Sequence, residues 1–205
     1  MACEKVVLLV GGQAGVGKTT LARHIARRVP AALVDKDSVT RPLVDALMTE
    51  LTGDAGDRQS TEYLSKVRDL EYACMMNTAM DIVGHGTHVV VVAPFLRELT
   101  DFEWIRQFKA RCEEVGCAAA AVWVECSSPD EHLRRITERG AERDAWKLDN
   151  WSQFRASLDI RPHHSVARLD NSVHGFAEME ALSAHIANSL LAEDSGSAHT
   201  EHPLS

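Results

Sequence analysis

The chain has 205 residues, with 22 Lys plus Arg against 30 Asp plus Glu, a formal charge of −8, and 45% hydrophobic residues. The length fits one globular domain with a real core, and the acidic balance excludes a general nucleic-acid binder, which needs a basic face. The most apolar runs, His88–Leu96 and Cys117–Val124, are far shorter than the roughly 20 residues of a membrane span.

In chain order, Lys5–Val10 is predicted as a buried strand and Lys18–Val29 as a helix with Leu21, Ile25 and Val29 on one face. Ala31–Val34 reads as a second strand and Val39–Leu51 as a helix that accommodates Pro42 in its first turn. Thr52–Ser60 is a loop by composition, and Thr61–Val83 is one long helix closed near Gly84 and Gly86. Thr87–Val92 is the strongest strand, β-branched and apolar on both faces. Thr100 with Glu103 has capping-box spacing and opens a helix that ends near Gly116. Ala118–Val124 is the next strand. Ser128-Pro129-Asp130-Glu131 is a second capping box, with proline at the first helical position, and its helix runs to about Arg139. Gly140–Asn150 reads as a polar connection, Trp151–Leu158 as a short helix, Val166–Leu169 as a last strand and Phe176–Leu191 as a last helix. Glu193–Ser205 has the composition of a disordered tail. This alternation predicts an α/β sandwich with a mostly parallel sheet of about five strands, whose ligands collect at the carboxyl ends of the strands.

Val6–Val10 is followed at once by Gly11 and Gly12, without a small-residue cleavage site, so the expected location is the cytoplasm. The five cysteines, Cys3, Cys74, Cys112, Cys117 and Cys126, form no CxxC pair and are expected as free thiols.

The most specific feature is Gly12-Gln13-Ala14-Gly15-Val16-Gly17-Lys18-Thr19, which fits G-x-x-x-x-G-K-[ST] between an apolar strand and an amphipathic helix. Glycines let the backbone turn successive N–H groups inward toward phosphate oxygens. The expected nucleotide ligands are Gly12, Ala14, Gly15, Val16, Gly17, Lys18, Thr19 and Thr20, with Lys18 on the β- and γ-phosphates of ATP and Thr19 on Mg²⁺. The strong strand ends Val91-Val92-Ala93-Pro94 without a carboxylate, and no N-K-x-D motif occurs, which favours a small kinase over a motor or a GTPase switch. Glu125, at the end of the following strand, is a displaced alternative as magnesium anchor.

Asp35 and Asp37 follow the second strand and fall at the same sheet edge. Transfer of phosphate to a hydroxyl needs a proton acceptor, the role expected of Asp37, and a carboxylate near magnesium, the role expected of Asp35. Either acid, or Ser38, could instead cap the next helix. Arg135 and Arg139 share a helical face and Arg143 lies a turn further on, a pattern suited to a lid that neutralises transferring phosphate. Arg134 points elsewhere. Trp146 and Trp151, close to that lid, would pack over substrate, at a hinge or in the core.

The loop Gly12–Thr19, the Asp37-Ser38 pair and Arg135-x-x-x-Arg139 together resemble the small P-loop kinases of the AAA_33, zeta-toxin-like group, relatives of chloramphenicol phosphotransferase, gluconate kinase and adenylate-kinase-like enzymes. The resemblance spans roughly Val6–Leu191. It implies a three-layer P-loop fold with a small helical lid: one kinase domain over residues 1–192, a lid around 135–150 and a tail over 193–205. It also implies ATP- and Mg²⁺-dependent phosphorylation of a small-molecule hydroxyl without giving the acceptor, for which an antibiotic, a sugar and an amino-acid-like metabolite are the candidates. Asp37 takes the role of base, Arg135 and Arg139 that of lid arginines, and Asp170 or Asn171 a place near the adenine. The acceptor pocket is expected at Phe95 and Arg97 after the third strand, and at Arg68 and Tyr72 on the long helix. A nucleoside or nucleotide kinase, and a non-catalytic ATP-binding regulatory or toxin-like protein, are the alternatives. The sequence leaves the oligomeric state open, a homodimer included.

Overall fold

Five runs dominated by Val, Ala and Leu become strands, because β-branched and small apolar residues fit a pleated surface covered on both sides. The computed structural model describes residues 5–140, 144–156, 159–172, 181 and 184. Strands β1 (Lys5–Gly12), β2 (Ala31–Asp35), β3 (His88–Val92), β4 (Cys117–Glu125) and β5 (Ala167–Asp170) form one sheet in the order β2-β3-β1-β4-β5. Every pairing is parallel, with Val10 opposite Val92 on one side and Gly12 opposite Val124 on the other. Strand β1 is thus central, and its carboxyl end lies where the chain order reverses, the usual crevice for a ligand.

Helices cover both faces. They are α1 (Lys18–Arg28), α2 (Lys36–Thr52), α3 (Arg68–Gly84), α4 (Phe102–Val115), α5 (Pro129–Arg139), α6 (Ala145–Asp149) and α7 (Trp151–Ala156). The two-residue period of β1 sorts the core. Val7 and Leu9 pack with Val89, Val91 and Trp123 beneath α3 and α4, including Met75, Ala79 and Phe108. Val6, Leu8 and Val10 pack on the opposite face with Val90, Val122 and the α1 residues Leu21, Ala22 and Ile25. Each of these wholly buried aliphatic side chains contributes about 1.5–3 kcal/mol. Among the described residues no helix is long and apolar enough to cross a membrane. Cys112, Cys117 and Cys126 are buried free thiols and Cys74 is an exposed one, whereas Cys3 lies outside the described residues.

Several boundaries differ from the sequence reading, each for a local reason. Helix α2 starts three residues early, at Lys36, because the Asp35 carboxylate accepts from the Asp37 N–H (3.0 Å) and caps it. Pro42 therefore lies inside the helix rather than in its first turn. The expected single helix Thr61–Val83 contains a π-helical segment, Tyr63–Val67, before α3. Asp101, not Thr100, caps α4 by accepting from Glu103 and Trp104, while the Thr100 hydroxyl donates back to Leu96 and Arg97 carbonyls. The Ser128 cap forms as expected, accepting from Glu131. The polar connection after Gly140 contains helix α6. The expected helix Phe176–Leu191, apart from positions 181 and 184, and the tail 193–205 lie outside the described residues.

Candidate active site

The loop after β1 is built by glycine. Gly12, Gly15 and Gly17 have φ of 132°, 82° and 98°, the left-handed region that side chains disfavour. Space demands glycine as well, since a Cβ on Gly12 would lie 2.1 Å from the Val124 carbonyl oxygen. The loop is pinned from three sides. Gly12 donates to the Pro94 carbonyl (3.0 Å), the Asn171 amide donates to the Val16 carbonyl (2.8 Å), and His132 Nε2 lies 2.6 Å from the Ala14 carbonyl. Helix α1 then starts at Gly17 with no side-chain cap. Its first-turn amides therefore face the loop, an arrangement that favours an anion. The Gln13 Nε2 in this loop is buried and has no partner among the described residues.

Lys18 folds back onto the Gln13 carbonyl (2.6 Å). Burial pushes its ammonium down to about 7; the facing Arg139 and Lys147 add to the shift, and Asp37 and Asp35 oppose it. These four charged groups from the end of β2, α2, α5 and α6 thus act on the ammonium of the loop. The Thr19 hydroxyl lies 3.4 Å from Asp35 Oδ2, while the Oδ1 of the same carboxylate caps α2. Hydroxyl and carboxylate oxygens are hard ligands that suit Mg²⁺, which keeps several waters and needs few protein donors. Accordingly, the described residues contain no cluster of three or more His, Cys, Asp or Glu that could cage a metal. Glu125, the displaced alternative, is occupied by Arg168 of β5 at 2.6 and 2.9 Å.

Asp37 faces a cavity of about 1030 Å³ whose wall includes Lys36, Arg41, Arg58, Arg139, Trp146 and Lys147. Its carboxylate is 2.5 Å from Arg41 and 3.4 Å from Lys36. Lys36 is in turn fixed from below. Its ammonium donates to the buried Glu71 (2.6 Å), which also accepts from Thr40 and Tyr63, both at 2.7 Å. Burial opposes the Glu71 charge, yet these hydrogen bonds hold its carboxyl below the usual range. Sequence reading missed this network, because it joins residues from α2, the π-helical segment and α3.

The two arginines expected to act together are separated. Arg139 reaches the Asp37 cavity and binds the Asp144 carboxylate. Arg135 binds Glu131 (2.7 Å) and the Ser172 carbonyl beyond β5, away from that cavity wall. Arg134 spans Glu131 and Glu138 on the surface, as expected. Arg143 lies outside the described residues. Asp144 was missed altogether. It is wholly buried and clamps both Arg139 and Lys147, which hold its carboxyl below the usual range against the opposing effect of burial. The signal was present as Arg139, Asp144 and Lys147 at five- and three-residue spacing. Asp144→Asn is expected to lower stability by about 1–3 kcal/mol, less than a fully buried pair because both cations are partly solvated. Thermal unfolding of the variant checks this.

The expected acceptor residues also divide. Arg68, Tyr72 and Arg97 line a second cavity of about 490 Å³ between α3 and α4, together with Glu98 and Trp104. There the Arg68 guanidinium is 2.8 Å from Glu98 and lies 4.3 Å over the Tyr72 ring. Phe95 is a correction. It is wholly buried, with its ring against Tyr72 and Trp104 and a backbone φ of 50°, so it packs under the loop rather than facing a pocket. Asn171 is 3% exposed and braces the Val16 carbonyl, which leaves only its buried Oδ1 without a partner. Thr20 is exposed in the first turn of α1. Trp146 is 45% exposed at the Asp37 cavity, whereas Trp151 packs on His132 and Phe154.

A glycine loop opening a helix at the centre of an all-parallel sheet defines a P-loop α/β protein. The chain belongs to the AAA_33 family, described as an AAA domain, which matches residues 7–160. Its fold is similar to that of a gluconokinase from Sinorhizobium meliloti 1021, at 16% identity and a TM-score of 0.55, over 94% of this chain and 99% of that one. A sugar kinase from Janibacter sp. HTCC2649 is similar at 14% identity and a TM-score of 0.54, over 91% of this chain and 98% of that one. The Mycobacterium tuberculosis APS kinase CysC, solved with AMPPNP and APS, is similar at 18% identity and a TM-score of 0.54, over 94% and 99%. No curated protein sequence matches the chain.

Proposed function

We propose that the protein is a kinase that transfers the γ-phosphoryl group of ATP to a hydroxyl of a small molecule held in the Asp37 cavity. One observation carries this reading: Asp37, Arg139 and Lys147 line one cavity, and Asp35, two residues before Asp37, meets the hydroxyl of the P-loop Thr19 at 3.4 Å. The sugar and APS kinases of the same fold support it. Loop amides and Lys18 bind the phosphates. Thr19 and Asp35 are the residues that would hold Mg²⁺, which supplies charge neutralisation at the phosphates when bound. Asp37 accepts the hydroxyl proton as the acceptor oxygen bonds to the γ-phosphorus. The bond from that phosphorus to the bridging oxygen breaks, and ADP leaves. Arg139 and Lys147, held by Asp144, neutralise charge on the moving phosphoryl group.

Charged side chains of both signs, among them Lys36, Asp37, Arg41, Asp57, Arg58 and Lys147, dominate the cavity wall beside Ala55, Gly56 and Trp146, which suits a polar, hydroxylated metabolite better than a lipid-like one. An ADP-release assay over a panel of hydroxylated antibiotics, sugars, amino-acid-like compounds and nucleosides tests the reading. Release that depends on one acceptor class supports it. ATP binding with no acceptor-dependent turnover favours a regulatory ATP-binding protein.

A further inference from the structure

His132 takes no part in the chemistry above, yet it is wholly buried at the centre of the site's supporting structure. It lies in the first turn of α5, the helix that carries Arg135 and Arg139 at its other end. Its Nε2 is 2.6 Å from the Ala14 carbonyl, which can only accept, so Nε2 carries the proton. Its Nδ1 is 3.0 Å from Arg155 of α7, which can only donate, so Nδ1 carries the lone pair. The two partners together select the neutral Nε2–H tautomer. Trp151 and Phe154 enclose the ring, with centroids at 5.5 and 5.8 Å. The same Arg155 nitrogen reaches the Cys126 carbonyl at the end of β4 (3.3 Å). The crest of the loop sits directly on this helix, since a Cβ on Gly15 would lie 2.6 Å from Ile136 and 3.1 Å from His132 Nε2.

We propose that His132 is a positioning residue that, as a neutral imidazole, fixes the phosphate-binding loop to α5 and α7 and so links the loop to the arginine-bearing segment. This rests on the reading that Gly12–Thr19 binds a nucleoside triphosphate. The linkage has a built-in sensitivity to acid. Protonation places an N–H at Nδ1 opposite the Arg155 N–H, two donors without an acceptor and two like charges. The charged groups facing the ring are Arg155 from α7, Arg135 on its own helix and Lys18 from α1, all cations. With burial as the largest cause, they keep the ring's pKa below its usual value. The unfolded chain thus binds the proton first. Stability from this contact is present above the ordinary histidine range and is lost as pH falls below about 6.5.

Two variants separate positioning from mere packing. His132→Gln presents an amide N–H to Ala14 and a carbonyl to Arg155, and it does not titrate. His132→Phe keeps an enclosed ring and loses both hydrogen bonds. Hydrogen exchange at the amides of residues 14–17 in nucleotide-free protein, and binding of a fluorescent ATP analogue, are followed from about pH 8 to about pH 5.5. Below about pH 6.5 the wild type is expected to lose loop protection and affinity by about tenfold relative to their values at about pH 7, as for one hydrogen bond to a charged partner. His132→Gln should keep both and lose their acid limb, and His132→Phe should start about tenfold weaker. An unchanged acid limb in His132→Gln overturns the proposal, as does wild-type protection in a folded His132→Phe. Should His132→Phe not fold, the pH profile of His132→Gln still decides. A wild type that binds no nucleotide at any pH refutes the site reading, while loop exchange still reports on His132 by itself.

Discussion

Asp37→Asn is expected to reduce acceptor-dependent turnover by about 10²–10⁴-fold, the usual contribution of a positioned general base. The reason is chemical as well as geometric. An amide keeps the size of the carboxylate but cannot take the hydroxyl proton. The ordering role at the start of α2 belongs to Asp35, whose carboxylate accepts from the backbone N–H of residue 37, which Asn retains. Asparagine at 37 can also still accept from Arg41, which now lies 2.5 Å from the carboxylate. The variant should therefore fold and bind ATP nearly as the wild type does, with the loss confined to kcat. A comparable fall in ATP affinity would instead make Asp37 a nucleotide-site residue.

Lys18→Ala is expected to have an effect of similar size on turnover, about 10²–10³-fold, and to weaken ATP binding as well. Lys18 is the group on which the loop, α2, α5 and α6 converge electrostatically. Its lowered pKa gives the wild type a distinctive signature. At about pH 8 the ammonium of the free protein is largely neutral, and a bound polyanion favours its charged form, so binding takes up a proton. ATP affinity should thus fall as pH rises through about 7 in the wild type. This slope should be absent in Lys18→Ala. Calorimetric titrations in buffers of different ionisation enthalpy measure the proton uptake directly.

Local signals were legible in the sequence. Gly12, Gly15 and Gly17 announce themselves by spacing, and the strand Val89–Val92 by its β-branched run. What sequence did not reveal depends on partners far along the chain. His132 sits on a helix with no visible reason to touch Ala14, 118 residues away. Glu71 reads as one charge on an amphipathic stripe until Lys36, Thr40 and Tyr63 close over it. Phe95 reads as an acceptor-pocket residue from sequence because its burial comes from the distant Tyr72 and from Trp104. Arg135 and Arg139 share a face by spacing, but Ser172 draws one away and Asp144 holds the other. Capping also went to acids: Asp35 starts α2 where Asp37 and Ser38 were open alternatives, and Asp101 starts α4 where the capping-box spacing pointed to Thr100. On the proposed reading the net charge of −8 gains a local meaning, since the attraction for an anionic nucleotide would come from Lys18, Arg139, Lys147 and the first turn of α1.

The central claim is that Asp37 and Lys18 share one phosphoryl-transfer site. Phosphorus NMR of the products formed from ATP and the acceptor panel tests it most directly, with wild type and Asp37→Asn side by side. The expected result is a new phosphomonoester, formed in step with ADP by the wild type and nearly absent with Asp37→Asn at equal ATP occupancy. Equal phosphomonoester formation by Asp37→Asn, or ADP accompanied only by inorganic phosphate, would contradict the account.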